Sequence, residues 1–121
     1  MKAIFNKNCV LVGWYETQNK NVFNNDMQWI GFINNGYFFS KTAHWLGGFI
    51  NGTYVDVKGR PVAWNEGSTP VGVNILPAPI VPMIPLQPLS PLHPLKPLTP
   101  MRPLIPLGGW SELEWNDYIN R

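Results

Sequence analysis

Residues 4–14 run Ile4-Phe5-Asn6-Lys7-Asn8-Cys9-Val10-Leu11-Val12-Gly13-Trp14: an apolar pair, a polar turn, then a second apolar run closing on glycine and an aromatic ring. The same order returns as Val22-Phe23 with Ile30-Gly31-Phe32, as Phe38-Phe39 with Leu46-Gly47-Gly48-Phe49, and as Tyr54-Val55 with Val62-Ala63-Trp64. The anchors Phe5, Phe23, Phe39 and Val55 lie 18, 16 and 16 residues apart, which marks an internal repeat. A unit of that length holding two turn signals has no room for two helices. Short runs of Val, Ile, Phe, Tyr and Trp on either side of a turn instead read as a β-hairpin. One hairpin is marginal alone, so four must share a core.

Each anchor is followed by Asn6, Asn24, Ser40 or Asp56, whose short polar side chains can bond the backbone two residues on and start a turn. Simple alternation then places Val12, Ile30, Leu46 and Val62 on one strand face with Trp14, Phe32 and Trp64. Gly13, Gly31, Gly47 and Ala63 point the other way, small enough for close approach, and glycine in a strand interior marks a bulge or a neighbouring backbone. By the same count Trp29 and Trp45 fall on the face opposite Trp14 and Trp64. They form a candidate ligand rim for a glycan or peptide, with core or subunit packing the plainer use of such rings.

These four units, together with a Pro-Leu tract and a Trp-containing tail, resemble the bacterial family called four-fold beta flower proteins. The resemblance implies a mainly β fold of four short hairpin repeats around a pseudo-four-fold axis, and it carries no activity, ligand or catalytic residue. Residues 1–68 are assigned to this domain, and 69–78 to a linker. The doubled Gly47-Gly48 and the replacement of glycine by Ala63 depart from a regular ring.

Thirteen prolines are present, and eleven of them fall between positions 77 and 106. From Pro79 the spacing is three without a break to Pro106. A polyproline II helix has three residues per turn and rises ~3.1 Å per residue, so the 28 residues from Pro79 to Pro106 predict roughly 87 Å of a rod assigned to residues 79–107. Its second edge, which includes Leu86, Leu89, Leu92, Leu95 and Leu98, is apolar throughout. A spacer needs only solubility, so that edge is expected to bury against copies of the chain or a protein partner. The rod is longer than one small domain is wide, which favours a homo-oligomer or a partner over the surface of its own β domain. Pro91 to Lys96 and Pro97 to Arg102 also fit a PxxP motif with a basic residue, a match that any period-three proline tract supplies.

Residues 108–121 form a docking tail. Ser111 with Glu114 reads as a capping box, and Trp110 can staple onto Trp115. Trp115, Tyr118 and Ile119 make an i, i+3, i+4 stripe on a short helix that has to dock to persist. Trp110, Trp115 and Tyr118 are therefore candidate anchors for self-association or a partner.

Chemistry is thinly signalled. Nine Lys and Arg against seven Asp and Glu give a net charge of +2, too weak and dispersed for a nucleic-acid face. No proline-free run approaches the ~20 apolar residues of a membrane helix. The first fifteen residues lack a small-residue cleavage site, and the one cysteine, Cys9, suits a reducing compartment, so a cytoplasmic location is expected. No metal, cofactor or catalytic motif is recognised. Cys9 and His44 both end repeat turns and could in principle meet on one rim as a thiol–imidazole pair, with a structural thiol and an ordinary turn histidine the favoured alternative. The expectation is a non-enzymatic interaction or assembly protein; the alternative is a ligand-binding module on the Trp29 and Trp45 rim, with the rod as a tether.

Overall fold

The computed structural model describes residues 1–70, Val73, Pro91 and 108–121. Eight strands follow one another: β1 (Lys2–Asn6), β2 (Leu11–Glu16), β3 (Asn21–Asn24), β4 (Trp29–Asn34), β5 (Tyr37–Ser40), β6 (Trp45–Ile50), β7 (Thr53–Val55) and β8 (Pro61–Asn65). Each pairs antiparallel with the next, and β8 returns to β1, closing a barrel. Closure leaves no unpaired edge. A short helix, α1 (Trp115–Ile119), follows in the tail. Among the described residues no helix is long and apolar enough to cross a membrane.

The repeat is visible in the hydrogen bonds. Asn6 Oδ1 accepts from the backbone N–H groups of Asn8 and Val10, at 2.9 and 3.1 Å. Asn24, Ser40 and Asp56 do the same for Asp26 and Gln28, Thr42 and His44, and Lys58 and Arg60. All four turn-starting side chains thus act as their residue type predicts.

One bulge per unit resets the strand faces. Ile4 pairs with Gly13 but Phe5 pairs with Leu11, so Val12 is the extra residue. Ile30, Leu46 and Val62 are passed over in the same way in the other units. An extra residue reverses the alternation beyond it. The expectation that Val12, Ile30, Leu46 and Val62 share a face with Trp14, Phe32 and Trp64 is therefore wrong. The former pack into the inner cluster with Ile4, Val22, Phe38 and Tyr54, while Trp14 and Trp64 join a separate cluster.

The inner cluster is identified as the barrel interior by Tyr15 and Phe49, whose rings meet at 5.3 Å from β2 and β6, on opposite sides of the barrel. Phe38 and Tyr54 pack edge to face at 5.5 Å. The Tyr54 hydroxyl donates to Asn65 Oδ1 at 2.9 Å, satisfying a buried polar pair in an otherwise apolar filling. A Cβ on Gly13 or Gly31 would run into the carbonyl oxygen of Phe23 or Phe39, the anchor of the next unit. That close approach of backbones is what the small repeat position permits.

Candidate functional site

The four side-chain-capped turns form one rim of the barrel, and α1 lies over the mouth they surround. Five helical residues cannot hold themselves in water, so packing must hold them. Trp115 stacks on Phe38 at 6.3 Å and meets Tyr54 edge-on at 5.6 Å, and Tyr118 lies 5.6 Å from Phe38. The Tyr118 hydroxyl donates to the Val55 carbonyl at 2.9 Å. Three further links tie the tail to the rim. Ser111 Oγ donates to Asp56 Oδ2 at 2.6 Å, Arg60 Nη1 donates to the Gly108 carbonyl at 2.8 Å, and Lys7 pairs with Glu114 at 3.5 Å.

This arrangement corrects the expected capping box. The helix starts at Trp115 with Glu114 as its cap residue and no side-chain cap bond. Ser111 serves as a tertiary pin instead, and it accepts from Leu113 N–H at 3.1 Å. Trp110 packs against the cluster of Trp14 and Trp64 rather than stapling onto Trp115. Two open clefts flank the cap. One of about 600 Å³ is lined by Asp56, Lys58, Arg60, Trp110, Ser111 and Arg121. The other, of about 500 Å³, is lined by Trp29, Lys41, His44, Ile119 and Arg121.

Burial fixes the ionisation of the phenols here. It pushes the Tyr54 hydroxyl well above its ordinary value, with the neighbouring Tyr15 and Tyr118 adding to the effect. Tyr118 is raised well above its ordinary value by the same burial and by the facing Asp56 carboxylate. Both are neutral donors at any ordinary pH.

The outside of the barrel carries a second apolar set. Trp14 lies opposite Phe23, Phe32 opposite Phe39, and Trp64 opposite Phe5, each pair joining one unit to the next. At the remaining joint Gly48 faces Val55, the one step without an aromatic pair. Phe5 and Trp64 are 5.2 Å apart, and Phe32 and Phe39 stack at 5.7 Å. The result is a belt around the circumference.

A family model described as 4-fold beta flower protein matches residues 2–119. The chain belongs to that family. No curated protein and no solved structure matches it. The four petals of this beta flower are the hairpins β1–β2, β3–β4, β5–β6 and β7–β8, and the bulge in each is the repeated structural device.

The flower redistributes the residues singled out by sequence. Trp115 and Tyr118 are buried inside their own barrel mouth. Trp29 pairs with Phe23 and Trp45 with Phe39, which sets both on the outer face with Trp14 and Trp64, not opposite them. Trp29 lines the smaller cleft, while the Trp45 indole N–H is committed to the Gly47 carbonyl at 2.9 Å. Leu86, Leu89, Leu92, Leu95 and Leu98, with the rod they were assigned to, lie outside the described residues. Cys9 and His44 sit in the turns of petals one and three, on opposite sides of the ring, so the topology separates them.

The belt was missed as a continuous feature. Its signal was present in the adjacent apolar pairs Ile4-Phe5, Val22-Phe23, Phe38-Phe39 and Tyr54-Val55. Consecutive apolar residues in a strand mean that both faces are buried.

Proposed function

We propose that this beta flower is a non-enzymatic interaction module, whose barrel is a platform and whose outer belt holds an amphipathic, proline-rich chain. One observation carries the reading. Phe5, Trp14, Phe23, Phe32, Phe39, Val55 and Trp64 point outward from a closed barrel whose interior is separately filled, yet each is no more than 2% exposed. Outward aromatic rings on a solvated barrel would be wet on one side. Burying such a ring is worth about 1.5–3 kcal/mol, so a belt of this size is a strong docking track for an apolar edge.

The Pro-Leu-X tract offers such an edge in Leu86, Leu89, Leu92, Leu95 and Leu98. In polyproline II form it presents one continuous apolar line and starts with less entropy to lose than an ordinary chain. Belt and tract together make an association element, used within one chain, between copies, or toward a protein partner.

The test is a full-length triple variant, Leu89→Asp with Leu92→Asp and Leu95→Asp, compared with a control charged on the polar edge, Gln87→Glu with Ser90→Asp and Thr99→Asp. Acrylamide quenching of the indoles reads the belt, and far-UV circular dichroism checks the barrel. The Leu-edge variant is expected to open the belt tryptophans to quencher while the barrel stays folded, and the polar-edge variant to match wild type. Equal quenching in all three proteins would sink the reading.

A second reading has its own observation: Trp29 beside Lys41, His44 and Arg121 in an open cleft suits a glycan or acidic peptide. It requires Trp29→Ala to abolish binding of such a ligand with the belt unchanged.

A further inference from the structure

We infer that the occupant of the belt is the Pro-Leu tract of the same chain, passing around its own barrel with the Leu edge inward. This rests on the belt-and-tract reading above and names its partner. Three observations select the chain's own tract.

The first is where the described chain ends and resumes. After β8, Glu66 N–H donates to the Ala3 carbonyl at 2.8 Å and Ser68 N–H to the Asn65 carbonyl at 3.1 Å. The chain therefore departs from the rim opposite the four capped turns, beside β1 and β8. It resumes with Gly108 held by Arg60 at 2.8 Å, and Ser111 N–H donates to the Pro61 carbonyl at 2.8 Å. Departure and return lie at the two ends of one strand, β8.

The second is length. β8 has five residues, so its ends are roughly 17 Å apart at ~3.3 Å per residue. A straight rod of about 87 Å cannot begin and finish there. A 68-residue domain has a diameter of about 28 Å, hence a circumference of roughly 88 Å, and a tract of that contour length makes one circuit and comes back to the same strand. Compared with the circumference instead of the width, the tract is no longer too long for its own domain.

The third is the extent of what is covered. The described residues packed on the outer cluster, among them Met1, Leu11, Met27 and Trp110, gather on the arc from β8 through β1 to β3 and β4. Phe39 on β5 and Val55 on β7, on the other side of the barrel, are equally buried. A cover that runs the whole way round accounts for both arcs.

The test uses full-length protein in a Cys9→Ser background, with a nitroxide attached through Ser90→Cys on the tract's polar edge. Broadening of backbone resonances of Phe5, Phe23, Phe39 and Val55 is read in two samples. In one, isotope and nitroxide share a chain; in the other, labelled untagged chains are mixed with unlabelled tagged chains. The expected result is loss of intensity in the first sample only, unchanged over roughly hundredfold dilution, with monomer mass by light scattering. Intensity loss in the mixed sample overturns the same-chain assignment and leaves the belt-and-tract reading standing, with a second copy as the partner. No loss in either sample overturns both.

Discussion

Cys9, Met27, Ala43 and Gly59 occupy the same position in the four capped turns, and all four have positive φ, between 59° and 93°. Only the fourth is glycine, so three turns hold a side chain in the left-handed region at a cost of about 1–2 kcal/mol each. Ala43 is the cleanest probe, because its methyl belongs to neither apolar cluster. Ala43→Gly is expected to raise stability by about 0.5–1 kcal/mol, the relief of strain being partly offset by the entropy of a freer unfolded chain. Gly59→Ala should lower it by about 1–2 kcal/mol. Urea unfolding of the two variants tests the pair; a matching sign for both would contradict the shared geometry. The turns were legible in the sequence because the interaction is local: Asn6, Asn24, Ser40 and Asp56 reach acceptor distance of their own backbone with no help from the rest of the molecule.

At the level of elements, α1 and the bulges were only half legible. The stripe Trp115, Tyr118 and Ile119 was readable as a docking face, but its partner was not, since an apolar stripe does not state what it meets. The barrel mouth supplies the answer through Val12, Ile30, Leu46 and Val62, the four bulged residues that pack with the inner cluster beneath the helix. Trp115→Ala is expected to cost about 3–5 kcal/mol, the range for removing a large buried ring. The midpoint of urea denaturation measures it. A loss below about 1 kcal/mol would mean that the helix is a loose appendage rather than part of the core. The small residues Gly13, Gly31, Gly47 and Ala63 signal a bulge or a close backbone without saying which, so strict alternation carried past them puts the bulged residues on the wrong face. A skipped residue leaves no mark in composition, and it inverts the face of everything after it.

For the whole molecule, the two buried phenols link stability to alkaline pH. Tyr54 and Tyr118 have folded-state values above those of the unfolded chain, chiefly through burial. Between the two values the folded state holds more protons, so stability falls as pH rises. The contribution is complete below about pH 10, the ordinary tyrosine value, and is lost as pH climbs toward the raised values. Tyr118→Phe removes the hydrogen bond to Val55 and should cost about 0.5–1.5 kcal/mol at neutral pH. It should also flatten the alkaline decline. Chemical denaturation of wild type and Tyr118→Phe at neutral pH and near pH 11 provides the check, and parallel declines would place the titration elsewhere.

The sequence by itself determined the repeat, the four turns, the β class and the period-three proline tract, because each follows from neighbours within a few residues. Only the tertiary structure decided which face is inside, that the hairpins close into a barrel, and that the tail caps its own mouth. Those outcomes depend on meetings between distant residues, such as Tyr15 with Phe49 and Ser111 with Asp56, and on four single-residue bulges. The circuit proposed for the proline tract depends on closure in the same way, because a barrel has a circumference only once the first strand has met the last.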